Sequence, residues 1–131
     1  MIYTGNFANI KSYVQAGLSP ISIARFNRYF RGHGFLKLAP TASMLRLPED
    51  EYTKLFKAYV LGRLNPHEII KEIEAMSSNP ILLCYEKATD FCHRILVREW
   101  LQEAGYDCQE YELKSRDAEE PPRSETLGLF D

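Results

Sequence analysis

The sequence predicts an α/β domain with three layers, in which a mostly parallel sheet of about four strands lies between flanking helices. Short apolar segments alternate with longer ones whose apolar residues recur at helical spacing. The clearest strand is the continuous apolar run at residues 81–85, which is typical of a strand buried on both faces. With 131 residues, the chain is long enough for one domain with a substantial core. We therefore expect a single α/β domain over residues 1–113.

The first part of the chain predicts a β-α-β unit. We expect a strand over residues 1–4, a helix over residues 8–16 and a second strand over residues 18–25. The two glycines that flank His33 then predict a sharp bend.

Two helices are predicted in the middle of the chain. Three acidic residues follow Pro48, and acidic side chains suit the positive N-terminal end of a helix dipole. Gly62 marks the expected end of this helix. Asn65 followed by Pro66 is typical of the cap and the first residue of another helix.

A last helix and a last strand complete the predicted domain. The helix is expected over residues 91–104, with Thr89 or Asp90 as its N-cap and Gly105 after its end. Polar residues alternate along residues 107–113, which predicts a strand near an edge of the sheet.

The candidate site lies where the strand at residues 81–85 gives way to this last helix. Ligands of open parallel sheets bind at the carboxyl ends of the strands. Glu86, Cys92 and His93 are the catalytic candidates, because a carboxylate can act as a general base and a thiol near a helix N-terminus gains reactivity. The alternatives are that Cys92 is a core residue or a pocket wall, and that His93 packs under the turn.

Residues that bind an anion are expected at the same edge, since arginine holds phosphate or carboxylate through paired N–H donors. The candidates are Arg25, Arg94, Asp90, Thr4 and Asn6. Arg25, Glu86, Cys92 and Arg94 are expected to surround one open cavity. The rival interpretation is structural, with Arg25 and Glu86 forming a partly buried ion pair.

The cysteines do not predict a metal site, and no motif identifies a cofactor. Cys84, Cys92 and His93 lack the paired short spacings of zinc-binding motifs. Cys84 is expected to be a core residue, because buried cysteine is common in apolar strands. Three cysteines without the spacing of a disulfide framework indicate a reducing compartment, with the cytoplasm as the default.

Charge is divided unevenly along the chain, although the net charge is only −2. Residues 1–48 hold six lysines and arginines and no acidic residue. This asymmetry indicates an anionic partner, either a small molecule or nucleic acid, and arginines mixed with aromatic residues over 25–31 suit phosphates and stacked bases. The alternative is that these cations pair with acidic helices. No apolar run approaches the ~20 residues of a membrane span, and no secretory signal is expected.

The last residues form a separate segment. Residues 114–131 are charged and contain proline, so they are expected to be disordered. They end in an apolar cluster formed by Leu127, Leu129 and Phe130. This ending resembles the bacterial sliding-clamp-binding motif, typically Gln-Leu-x-Leu-Phe, with Thr126 in place of the glutamine. The alternative is that the cluster folds back onto the domain.

A family resemblance rests on the segment LLCYEKATDFCHR and on LVREWLQEAGY, which comes soon after it. These segments are similar to the signature of the family named domain of unknown function 488, whose members carry a strand, a Cys-x-Glu turn and a Cys-His-Arg helix start. The starting segment IYTGN resembles the first strand of that family. Arg25 in ISIAR matches the arginine of the Asp-x-Arg strand end of that family, while Ile23 and Ala24 leave its aspartate absent. The resemblance covers residues 1–112 and implies a site at the Cys-His-Arg block without implying a reaction.

Two functions are consistent with these patterns. The first is an enzyme that acts on a phosphorylated, nucleotide-like or nucleic-acid substrate at the Glu/Cys-His-Arg pocket. The second is a non-catalytic module that binds nucleic acid or a nucleotide and is recruited to DNA by the clamp-like tail. A lower alternative is an interaction protein in which the Cys-His-Arg block only stabilises the turn.

Overall fold

The computed structural model describes residues 1–26, 30, 32–85 and 92–113. The described residues form the strands β1 Ile2–Asn6, β2 Ser19–Ser22, β3 His33–Gly34, β4 Pro80–Cys84 and β5 Cys108–Glu110. They also form the helices α1 Ile10–Gln15, α2 Glu49–Tyr59, α3 Pro66–Met76 and α4 His93–Glu103. Single 3₁₀ turns lie at Phe7–Asn9, Leu36–Leu38, Met44–Arg46 and Leu61–Arg63.

The five described strands make one parallel sheet in the order β3-β2-β4-β1-β5. The predicted α/β class is therefore confirmed, with one strand more than expected. The additional strand is β3, where a bend was predicted at His33. Its backbone pairs with Ile21 and Ser22 of β2, and the N–H of Phe35 donates to the Ser22 carbonyl at 2.8 Å.

Helices cover both faces of the sheet, as the three-layer prediction required. Alternate residues of β4 point to opposite faces, so Leu82 belongs to the larger core while Ile81 and Leu83 belong to the smaller one. The larger core contains the inner sides of α2, α3 and α4. Tyr13 of α1 fills the smaller core on the other face. No helix of the described ranges is long and apolar enough to cross a membrane.

Several element boundaries differ from the predicted ones. β1 continues to Asn6 instead of ending at Thr4, because Gly5 and Asn6 pair with Leu83 and Cys84 of β4. α4 begins at His93, and the extended backbone of Cys92 takes the N-cap position, so neither Thr89 nor Asp90 is the cap. These two shifts bring Asn6, Cys84 and Cys92 to the same edge of the sheet.

The cap predicted for α3 is confirmed. The side chain of Asn65 accepts a hydrogen bond from the backbone N–H of His67 at 2.9 Å, and Pro66 is the first helical residue. Proline fits there because the first N–H of a helix needs no partner within the helix. α2 ends at Tyr59, ahead of the 3₁₀ turn that contains Gly62.

Gly5 is required where α1 crosses β1. A methyl group at this position would lie 2.5 Å from the hydroxyl oxygen of Tyr13, a side chain that is itself 1% exposed. We expect Gly5→Ala to lower the free energy of unfolding by about 1–3 kcal/mol, the usual cost of overpacking a core. Urea denaturation, monitored by circular dichroism, measures this loss of stability. Adding Tyr13→Phe removes the nearest atom and should recover part of the loss; an unchanged or larger loss would contradict this explanation.

Candidate functional site

The candidate site lies at the carboxyl ends of β1, β2 and β4. Cys84 is the last residue of β4, and Asn6 at the end of β1 is its register partner. Ile23 follows β2 and continues its pairing, since its N–H donates to the Leu83 carbonyl at 3.0 Å. Cys92 and His93 start α4 at this same edge. This is the part of a parallel sheet where ligands are usually bound.

Cys84 and Cys92 form a disulfide between the end of β4 and the start of α4. Both residues are buried, and their Cα atoms are 7.2 Å apart. The prediction that Cys84 is buried in the core is confirmed, but its bond to Cys92 was not predicted. Eight residues separate the two cysteines, and that spacing does not reveal that the strand end meets the helix start. The third cysteine, Cys108, is a free thiol, and its burial raises its pKa to about 12.

His93 lies against both Cys92 and β2. Its Nε2 atom is 2.6 Å from the carbonyl oxygen of Ile23, so Nε2 carries the proton and donates it to that oxygen. The opposite nitrogen, Nδ1, lies 3.7 Å from the Sγ atom of Cys92. Burial lowers the pKa of His93 to about 4, so the ring is neutral near pH 7 and Nδ1 keeps a free lone pair.

Arg94 is a structural residue of the core. Its side chain is fully buried, and its Nε and Nη2 atoms donate to the two carboxylate oxygens of Glu110 at 3.0 and 3.1 Å. Its Nη1 atom donates to the Sγ atom of Cys84 at 3.1 Å. The prediction of an open anion clamp at Arg94 is therefore wrong, because the guanidinium points into the protein and holds Glu110 and Cys84.

Glu110 is the counter-charge of Arg94, and the sequence patterns did not reveal this pair. Besides Arg94, its carboxylate accepts a hydrogen bond from the hydroxyl of Thr4 at 2.7 Å, and Arg98 lies 3.9 Å away. Thr4 is fully buried in this contact, so its assignment as a substrate contact is wrong. A signal was present: Glu110 shares a face of β5 with the buried Cys108, and a buried arginine requires a counter-charge.

Arg25 is also engaged within the protein. Its Nε atom donates to the carbonyl of Pro40 at 2.7 Å, and the side chain is half-buried. The expected open cavity shared by Arg25, Cys92 and Arg94 is therefore not formed by these side chains, since Cys92 and Arg94 are buried. Glu86 and Asp90 lie outside the described residues, as does the tail cluster of Leu127, Leu129 and Phe130.

An open cleft of about 460 Å³ lies next to this buried group, at the ends of β1 and β5. Its lining includes Asn6, Asn9, Tyr13, Glu110 and Tyr111. Asn6 is 7% exposed, and its Oδ1 atom has no hydrogen-bond partner among the described residues. The cleft therefore presents hydrogen-bond acceptors and aromatic rings, which suit a ligand with N–H donors.

The hydroxyl of Tyr13 holds the inner end of this cleft. It accepts a hydrogen bond from the backbone N–H of Asn6 at 3.2 Å, and burial raises the pKa of Tyr13. The phenol therefore stays neutral near pH 7 and fixes the backbone of Asn6 beside Cys84.

One lysine in the basic first part of the chain pairs with an acidic residue of a helix. Lys37 makes an ion pair with Glu72 of α3, with nitrogen–oxygen distances of 3.0 Å. This contact agrees with the alternative interpretation, in which the cations of residues 1–48 pair with acidic helices. Arg28 and Arg31 lie outside the described residues, so the nucleic-acid hypothesis stays a prediction.

The chemistry available at this edge is that of sulfur. Two cysteine sulfurs are bonded to each other, a guanidinium donates to one, and an imidazole nitrogen faces the other. On reduction, the same atoms supply a nucleophile, a base and a stabilised thiolate. Searches of protein-family models, curated proteins and solved structures found no match to this chain.

Proposed function

We propose that this chain is an enzyme that uses the Cys84–Cys92 pair for thiol chemistry on an anionic, nucleotide-like substrate. The observation that carries the proposal is the different surroundings of the two sulfurs. Nδ1 of His93 lies 3.7 Å from Cys92 Sγ, whereas Nη1 of Arg94 lies 3.1 Å from Cys84 Sγ. A base on one sulfur and a cation on the other give the two cysteines different roles. The resemblance to the domain of unknown function 488 supports the same block of residues, and we propose membership of that family.

The reaction starts from the reduced pair. Nδ1 of His93 accepts a hydrogen bond from the thiol of Cys92, and the Cys92 sulfur attacks a disulfide sulfur of the substrate; the S–S bond of the substrate breaks, its other sulfur leaves as a thiolate, and a mixed disulfide joins Cys92 to the substrate. Cys84, held as a thiolate by the guanidinium of Arg94, then attacks the sulfur of Cys92 and releases the reduced product. The substrate gains two electrons and the dithiol becomes the disulfide. A small external thiol then attacks Cys92 and expels the Cys84 thiolate, which Arg94 stabilises as the leaving group, and a second external thiol attacks the mixed disulfide, releases the Cys92 thiolate and leaves as the external disulfide.

The proposed substrate class follows from what surrounds the sulfurs. Asn6 lines the cleft and is the register partner of Cys84, which relates the cleft to the strand end that carries the reactive pair. The N–H groups of a nucleobase suit Asn6 and the aromatic rings of this cleft. The start of α4, beside Cys92, offers backbone N–H groups to a phosphate.

Trapping the covalent adduct tests the order of events. Fully reduced protein is mixed with 2,2′-dithiodipyridine, and the products are identified by mass spectrometry. We expect the unmodified sequence to form the internal disulfide, and Cys84→Ser to retain one pyridylthio group on Cys92. Cys92→Ser should react more slowly by about 10-fold or more, since the guanidinium of Arg94 stabilises the remaining thiolate and so lowers its nucleophilicity. Cys108→Ser is the matched cysteine control and should react like the unmodified protein.

Two outcomes would contradict the proposal. Faster formation of an adduct on Cys84 in Cys92→Ser than on Cys92 in Cys84→Ser would reverse the assigned roles. Equal rates in Cys84→Ser and Cys92→Ser would remove the difference between the two sulfurs. Adenosine monophosphate tests the substrate class separately: it should slow the alkylation of Cys92 by iodoacetamide, and a lack of protection would refute a nucleotide-like substrate without affecting the thiol chemistry.

A further inference from the structure

Three donors of metal ions meet at the start of α4. The sulfurs of Cys84 and Cys92 and a ring nitrogen of His93 lie within 4.8 Å of one another, and all three residues are buried. We propose that the reduced protein binds a thiophilic divalent cation, of which Zn²⁺ is the type, through Cys84 Sγ, Cys92 Sγ and His93 Nδ1. This inference goes beyond the proposed function, because it concerns metal binding by the reduced thiols and needs no substrate.

The distance between two of the donors already suits a shared metal ion. In tetrahedral zinc sites the metal–sulfur distance is about 2.3 Å and the metal–nitrogen distance about 2.0 Å, which places sulfur and nitrogen about 3.6 Å apart. The observed separation between Cys92 Sγ and His93 Nδ1 is 3.7 Å. The separation between these two atoms is therefore the one that two donors to the same ion require.

The surroundings of the donors match those of a metal site. The contact of 2.6 Å between Nε2 of His93 and the Ile23 carbonyl fixes the ring and leaves Nδ1 as the coordinating nitrogen. The hydrogen bond from Arg94 to Cys84 Sγ favours a thiolate at that position. Two thiolates neutralise one divalent cation, so the occupied site adds no net charge to a buried region that already contains the Arg94–Glu110 pair.

The backbone spacing leaves room for the metal ion. The Cα atoms of Cys84 and Cys92 are 7.2 Å apart, whereas most disulfides have Cα separations of about 4.4–6.8 Å. After reduction, side-chain rotation can separate the sulfurs to about 3.8 Å, as two thiolates on one zinc ion require. Metal binding and disulfide formation use the same sulfurs and exclude each other. Three protein donors also leave a fourth position for water or a ligand.

Cobalt titration of the reduced, metal-free full-length protein under anaerobic conditions tests the inference, because Co²⁺ on thiolates gives a sulfur-to-metal absorption band. We expect one Co²⁺ per chain, complete displacement by Zn²⁺, and no band from the oxidised protein. Cys84→Ser, Cys92→Ser and His93→Ala should each weaken binding by about 100-fold or more, since even second-shell changes cost 10- to 100-fold. Cys108→Ser and His67→Ala are matched controls outside the cluster and should bind like the unmodified chain.

The result is decisive in either direction. A fully reduced protein, shown by thiol titration and folded by circular dichroism, that gives no sulfur-to-cobalt band would overturn the inference. So would a band in Cys84→Ser and in Cys92→Ser that is as strong as the band of the unmodified protein. The adduct-trapping experiment has an independent readout. If an adduct forms on Cys92 but cobalt does not bind, the metal site is refuted and the thiol enzyme is not. If cobalt binds but no adduct forms, only the thiol enzyme is refuted.

Discussion

Glu110→Ala is expected to lower the free energy of unfolding by about 3–5 kcal/mol, the usual cost of breaking a buried ion pair from one side. The substitution removes the carboxylate that receives two hydrogen bonds from the fully buried guanidinium of Arg94. It also removes the acceptor of the Thr4 hydroxyl, which is buried as well. Urea denaturation of the oxidised protein at neutral pH measures the loss.

Glu112→Ala is the matched control for this experiment. Glu112 lies two residues further along, is exposed, and should change stability by less than about 0.5 kcal/mol. Glu110→Gln keeps the size of the side chain but not its charge, so its effect should fall between those of the two alanine variants. Similar losses in Glu110→Ala and Glu112→Ala would mean that the ion pair does not hold α4 against β5.

Acid is expected to destabilise the metal-free protein through His93. Burial lowers the pKa of this residue from 6.5 to about 4 in the folded state. Between these two values the unfolded chain binds a proton that the folded protein does not, so proton uptake favours unfolding. The neutral ring makes its full contribution to the free energy of unfolding above pH 6.5, and this contribution is lost as the pH falls towards 4. The full loss is about 3 kcal/mol.

His93→Gln isolates this contribution from that of the carboxyl groups. Glutamine can still donate to the Ile23 carbonyl, but it does not titrate, so the variant should lose less stability between pH 6.5 and pH 4. Urea midpoints measured at intervals of half a pH unit give the two slopes. His67→Gln replaces an exposed histidine and should keep the slope of the unmodified protein. Identical slopes for His93→Gln and the unmodified protein would refute the role of His93.

Elements with a strong local signal could be predicted from the sequence. The run at 81–85 and the Asn65-Pro66 cap needed no knowledge of distant residues, and β4 and α3 lie where these signals place them. β3 could not be predicted in this way. It consists of His33 and Gly34 alone, both exposed, and it exists because its backbone completes hydrogen bonds along β2.

The meeting of the β4 end with the start of α4 could be predicted, but the pairing of the side chains there could not. The strand end and the Cys-His-Arg start of α4 do meet, because parallel strands end at one edge. The role of Arg94 was missed although a clue was available: with Val97 and Leu101 it follows the helical spacing of the buried face of α4. Its partner Glu110 lies 16 residues away on another element, and only the fold brings the two together.

The order of the strands determines when the protein can assemble during synthesis. β4 lies between β1 and β2, so the two early strands have no common neighbour until residue 84 has left the ribosome. A nascent chain that ends before that point carries strand edges and apolar faces that only later residues cover. Folding therefore depends on contacts between distant residues, and a truncated translation product is a natural client for chaperones.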